Sequence, residues 1–349
     1  MDVSQAIEHT RAWVEVQARR MPGFCGAHLM GGILALPKDA PLPAYKDVDF
    51  NIVCEGVRET ETFDVACQGL ILEYSVVGVE RYCAAEDVLA SPDLASNLAA
   101  AGILSDPRGL LAPLSQAVAE QYARRRWVQA RCDYERRMVV QCLDDLRRAE
   151  TPLEARWHVL SAGLFLSGLL AEASLRPPTH RRCLVLMHDV LREQGREDLH
   201  EAALRLLGFG QVRREQVESY LDDCAAAFDR AAEVTRTPVP FQFKLQPHVR
   251  PYIVDGAREM IDQGCHREAM FWIGGFLMFA NAAIQADAPA QERPIYQAKV
   301  DRLAEDLGFG VDADVAARAA AMRDLAEAIF GVADALAARA CRREAATSC

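Results

Sequence analysis

The 349 residues exceed what one compact core usually holds, so two domains are expected. Hydrophobic residues make up 51% and charged residues 26%, an ordinary balance for a globular chain. A formal charge of −11 and a pI near 5.3 argue against nonspecific nucleic-acid binding, which draws its affinity from a basic surface.

In chain order, residues 2–20 read as an amphipathic helix with charges throughout. That segment lacks the apolar centre of a signal peptide. The eleven cysteines are scattered, odd in number and contain no CxxC pair. Buried free thiols in a reducing cytoplasm are therefore expected, rather than a disulfide framework or zinc sites. "GFCGAHLM" (23–30) is short, apolar and glycine-bounded, which predicts a strand. A loop with three prolines between Pro37 and Pro43 follows. "DVDFNIVCE" (47–55) and "GLILEYSVVGVERY" (69–82) predict a second and a third strand. "DLASNLAAAGIL" (93–104) reads as helix, ended by the turn "SDPRG" (105–109).

From about Pro113 the chain becomes rich in Ala, Leu, Arg and Glu and reads as successive helices. The expected fold class is α+β: a small mixed-sheet domain over 1–110, then an all-α helical-bundle domain over 111–349. "PFQFKLQ" (240–246) is its one strand-like interruption. The apolar run "AMFWIGGFLMFANAAI" (269–284) is shorter than the roughly 18–20 residues that cross a bilayer. It reads as a buried helix, and no membrane partner is expected. "LRLLGFG" (204–210) and "AEDLGFG" (304–310) each end a helical run with Gly-Phe-Gly, the pattern of a glycine C-cap with a hydrophobic contact.

The chemistry concentrates in the first domain. In a strand, alternate residues share a face, so Asp47, Asp49 and Asn51 lie on one side and Val48, Phe50 and Ile52 on the other. Two carboxylates entering a core repel each other and are costly to desolvate. A hard cation relieves both costs. Glu73 interrupts the otherwise apolar "LILEYSVV" and can join the aspartates if the two strands pair. Three acids from two strands are the set needed for two-metal phosphoryl or nucleotidyl transfer. Gly31 and Gly32, between the first strand and the apolar "ILAL", allow close backbone approach to a phosphate.

This order of strand, Gly-Gly, loop, Asp-x-Asp strand and strand with Glu73 resembles the nucleotidyltransferase superfamily of DNA polymerase β type. Over roughly residues 20–110 it is most similar to the aminoglycoside nucleotidyltransferase branch, such as the kanamycin enzymes. The resemblance implies transfer of a nucleoside monophosphate, from ATP or another nucleoside triphosphate, to a hydroxyl of a small molecule. The acceptor would be an aminoglycoside-like antibiotic or an intermediate of secondary metabolism. It implies Mg2+, two ions, held by Asp47, Asp49 and Glu73, with Glu73 a ligand of the catalytic metal or a base. Related two-domain enzymes often build the cleft between two protomers, so it also implies a homodimer. Two positions depart from the family: the signature serine is Gly32, with Gly26-Ala27 as an alternative register, and the residue before Asp47, often serine, is Lys46. Lys46 can add a charge for the triphosphate. The competing readings are transfer to a macromolecule, tRNA or protein, and a nucleotide-binding regulator that has lost catalysis.

In the helical part, Arg181 or Arg182, just after a Pro-Pro break, is a candidate phosphate contact. The arginines of "RRRWVQARCDYERR" (124–137) cannot all share one helix face, because Arg124 groups with Val128 and Arg131 while Arg125 groups with Gln129. His188 and His200 read as packed or exposed side chains rather than metal ligands. Glu268 is a candidate to orient or deprotonate an acceptor.

Overall fold

The computed structural model describes residues 1–310 and 314–347, with side chains described through Arg339. Cys341 and Cys349 lie outside the described side chains; the nine described cysteines are free thiols, most of them buried.

Asp2 starts the first helix, α1 (Val3–Val16). Its carboxylate accepts from the Gln5 N–H at 2.8 Å, and the Gln5 side chain returns a bond to the Asp2 N–H at 3.0 Å. This reciprocal box satisfies two helix-end donors. Five strands follow: β1 (Phe24–Met30), β2 (Asp47–Cys54), β3 (Glu61–Cys67), β4 (Leu70–Gly78) and β5 (Ile103–Ser105). They form one mixed sheet in the order β3-β4-β2-β1-β5. Only β2 and β4 run parallel; the other neighbours are antiparallel.

Two strands differ from the sequence reading. β3 is an extra strand, half-exposed along its length, and it joins β4 through a two-residue turn at Gln68-Gly69. Both turn residues have positive φ, the conformation that matches the twist of a hairpin. Polar residues mask its alternation. β5 occupies residues that read as the end of a helix. The helical signal of 93–104 shrinks to α3 (Ala95–Ala99), preceded by α2 (Ala85–Ala90). Ala101 then takes positive φ, and the chain becomes extended.

The sheet buries both faces. Val48, Phe50 and Ile52 of β2 pack with Val3, Ala6 and Val14 of α1. Val53 and Val77 pack on the opposite face with α2, α3 and α4 (Leu111–Gln121). The chain separates into two compact units. The first comprises Met1–Tyr134, Glu172–Thr179 and the chain from Ala335; the second comprises Glu135–Ala171 and His180–Asp334. The last strand of the sheet ends at Ser105, and its compact unit continues past residue 110 to Tyr134.

The remaining helices are α5 (Arg125–Leu146), α6 (Pro152–Ser174), α7 (Cys183–Glu193), α8 (Glu197–Leu206), α9 (Arg214–Val234), α10 (Arg250–Asp262), α11 (His266–Asp287), α12 (Arg293–Asp306) and α13 (Val315–Thr347). By length and composition α11 could cross a membrane, being 22 residues with a mean hydropathy of 1.4 over its most apolar stretch. Yet 61% of that stretch is buried, and its packing on α9, α10 and α12 makes it the core of the second unit. "PFQFKLQ" is not a strand: Phe241 takes positive φ and the chain closes a 3-10 turn over Gln242–Lys244. The two Gly-Phe-Gly segments are C-caps as expected. The Phe209 N–H donates to Leu204 O and the Phe309 N–H to Ala304 O, each at 2.7 Å, and both rings are buried. The caps abut, since a Cβ at Gly208 would lie 2.4 Å from Leu307 O.

Candidate metal centre

The parallel pairing of β2 and β4 sets Asp49 directly beside Glu73, with Asp47 two residues earlier on the same face of β2. Neighbouring strands are about 4.8 Å apart, so side chains in register on one face converge. One carboxylate oxygen from each of Asp47, Asp49 and Glu73 lies within 4.8 Å of the other two. Asp47 is buried, and Asp49 and Glu73 are half-buried. These three acids form a cluster that could hold a metal ion. Among the described residues, no other set of three His, Cys, Asp or Glu side chains converges this tightly. All three donors are hard carboxylate oxygens, a set that suits magnesium or manganese better than zinc or copper.

The glycines meet this cluster because β1 pairs with β2 on its other side. Met30 is the partner of Asp49, so the chain leaving β1 turns beside that carboxylate. Gly31 has a φ of 66°, and a Cβ there would lie 2.5 Å from Asp49 Oδ2. Its N–H donates to Asn97 Oδ1 at 2.9 Å, and Asn97 Nδ2 donates to Asp93 O at 2.8 Å. A short 3-10 helix spans Gly31–Ala35. The Lys46 ammonium reaches the same turn, 3.4 Å from where a Gly32 Cβ would be. Asp47, Asp49, Glu73, Gly31, Gly32 and Lys46 are thus assembled in the first unit.

Arg181 belongs to the second unit and is engaged there. Its Nη1 donates to Tyr252 O at 3.1 Å, its guanidinium covers the Tyr252 ring at 4.9 Å, and bare Gly256 makes room for it. His200 and Glu268 are buried together in the same unit, 3.5 Å apart, with the His188 ring 4.9 Å from that of His200. Burial pushes the His200 pKa down to about 4, so the ring is neutral. The arginine-rich helix splits as spacing requires: Arg126 lies over Trp127, while Arg131 is fully buried.

A polar network under the acids escaped the sequence reading. Asn51 continues the Asp47–Asp49 face and pairs in register with His28 of β1. His28 Nδ1 lies 3.0 Å from Leu29 O and therefore carries the proton. Nε2 then accepts from the Tyr82 hydroxyl at 2.9 Å, and that hydroxyl accepts from Asn51 Nδ2 at 3.0 Å. Burial lowers the His28 pKa to about 4 and raises that of Tyr82, so both groups stay neutral. The network clamps β1, β2 and the turn after β4, which fixes the strands that carry the acids. A histidine inside "GFCGAHLM" is the visible signal; its partner lies 54 residues away and has no local signature. No protein-family model matches the chain, and no curated protein sequence matches it.

Proposed function

We propose that the first unit is a magnesium-dependent nucleotidyltransferase centre that moves a nucleoside monophosphate from a nucleoside triphosphate to a hydroxyl acceptor. The observation that carries this reading is the convergence of Asp47, Asp49 and Glu73 within 4.8 Å beside a glycine turn. Bound by these acids, magnesium supplies positive charge for the triphosphate and lowers the pKa of the attacking hydroxyl. Asp47 and Asp49 hold the ions, and Glu73 completes the set or takes the acceptor proton. The Gly31-Gly32 turn lets the phosphates approach the backbone closely. Lys46 supplies the charge at Gly32 that stands in for the hydroxyl of the family's signature serine.

The preferred donor is ATP and the preferred acceptor a small molecule with a free hydroxyl, because the net acidic chain does not favour tRNA. Incubation with each nucleoside triphosphate, Mg2+ and a panel of hydroxyl acceptors, including aminoglycosides, tests the reading. Pyrophosphate release with an acceptor gaining the mass of one nucleoside monophosphate is the expected result. Triphosphate binding with no release under any acceptor would instead favour a regulator that has lost catalysis, the reading that Gly32 in place of serine supports.

A further inference from the structure

We propose that the first unit carries a pocket for a small aromatic amine, whose ammonium is held by the Glu61 carboxylate and the Tyr74 hydroxyl and whose ring packs on Phe63. The pocket is a cavity of about 590 Å³ bounded by β3, β4 and the loop between β2 and β3. That volume falls within the roughly 300–1,000 Å³ typical of small-molecule sites. It lies wholly within the first unit. It also lies on the sheet face opposite the three acids, since Tyr74 follows Glu73 on β4 and successive strand residues point to opposite faces.

Strand register builds the walls. Antiparallel pairing sets Phe63 beside Tyr74 and Glu61 beside Val76, so these side chains share one face. The Phe50, Tyr74 and Phe63 rings form a ladder across β2, β4 and β3, with successive centroids 5.6 and 5.2 Å apart. The ladder ends in the core at Phe50 and toward solvent at Phe63, which is 37% exposed. Met21, Val57 and Val76 add apolar wall and pack on the same core.

One buried polar group points to the ligand. Tyr74 is 8% exposed and lines the cavity, yet its hydroxyl has no hydrogen-bond partner among the described residues. A buried hydroxyl without a partner is costly, and a ligand that supplies one removes that cost. The oxygen is not sealed from solvent, so a molecule in the cavity has access to it. Burial raises the Tyr74 pKa, so the hydroxyl stays neutral and offers its lone pairs to an N–H donor.

The charges select an amine. Glu59 and Glu61 line the cavity against one cation, Arg58. Glu61 has no ion-pair partner among the described residues, whereas Glu55, at the start of the same loop, is paired with Arg108. The aromatic faces add attraction for a cation, and a ligand ring adds a further aromatic pair at Phe63. An anionic ligand meets two carboxylates and is disfavoured.

The test is a calorimetric and thermal-shift titration of the full chain, without nucleotide or metal, using tryptamine, phenethylamine, their neutral alcohols and indole-3-acetate. The amines are expected to raise the Tm by about 2 °C or more, and the alcohols and the carboxylate are not. Glu61→Gln and Tyr74→Phe are each expected to weaken amine binding about tenfold. Tyr74→Phe removes only a hydroxyl that no protein group engages, so the variant is expected to fold as wild type does. Asp49→Asn is expected to keep wild-type amine affinity, which separates this pocket from the acids on the opposite face. The proposal is overturned by equal shifts from the alcohols, by carboxylate binding in place of amine, by unchanged affinity in Glu61→Gln or Tyr74→Phe, by lost affinity in Asp49→Asn, or by no binding at all.

Discussion

Asp49 Oδ2 lies 2.5 Å from the point a Gly31 Cβ would occupy, so the carboxylate fills the space a side chain at residue 31 would need. Gly31→Ala must displace Asp49 and also force an L residue into positive φ, which costs about 1–2 kcal/mol by itself. The expected outcome is a stable enough fold with turnover lowered about 10²-fold, because a 1 Å misplacement suffices for that loss. Titration with Mn2+ checks the cause: affinity falls in Gly31→Ala and stays near wild type in Gly32→Ala.

Gly32 has no positive φ, and its missing Cβ would meet only the Lys46 side chain, at 3.4 Å. Gly32→Ser is therefore expected to fold normally, with a small shift of Lys46. Lys46→Ala is expected to raise the KM for triphosphate about tenfold with a smaller effect on kcat, since one charge contact to phosphate is lost. The loss should shrink in the Gly32→Ser background. Steady-state kinetics of the four proteins decide it, and equal losses in both backgrounds count against the stand-in role.

The ion pair of Arg131 with Glu172 holds α2, the end of α4, α5 and the end of α6 together inside the first unit. Glu172 is 1% exposed, and burial raises its pKa, an effect that Arg131 offsets only in part. Removing one partner strands a buried charge, so Arg131→Met alone is expected to cost about 3–5 kcal/mol in urea unfolding. Arg131→Met with Glu172→Leu should recover most of that loss.

What could be read from the sequence was local. Period-two alternation placed Asp47 and Asp49 on one face, and Glu73 stood out in an apolar run. The Gly-Phe-Gly caps could be read because a C-cap involves only neighbouring residues. The register that joins Glu73 to Asp49 is a parallel pairing across 24 positions, inferred from chemistry rather than spacing. β3 was hidden because an edge strand can be polar on both faces, and β5 because three residues carry no period. Helical spacing divided the arginines of 124–137 between faces but did not mark Arg131 as buried, since its partner Glu172 is 41 residues distant. The His28, Tyr82 and Asn51 network and the role of Asn97 depend on long-range closure in the same way.

Acid should destabilise the fold through its buried histidines. His28 and His200 have folded pKa values near 4 against an ordinary 6.5. Between those values the unfolded chain takes up protons that the folded chain excludes, so stability present above pH 6.5 is lost as pH falls toward 4. Each contributes roughly 2–3 kcal/mol over that window. His28→Gln, measured by denaturation from pH 7 to pH 4.5, is expected to lose less stability on acidification than wild type. Parallel pH curves for the two proteins would contradict the assignment.

In the proposed function, Asp47, Asp49 and Glu73 together drive nucleotidyl transfer. Pyrophosphate release from ATP with Mg2+ and acceptor, compared between wild type and Asp49→Asn at matched folding by circular dichroism, tests it most directly. Magnesium-dependent release is expected in wild type, with a loss of about 10³-fold or more in Asp49→Asn. Release in Asp49→Asn at the wild-type rate, or wild-type release that persists in chelator, would contradict it.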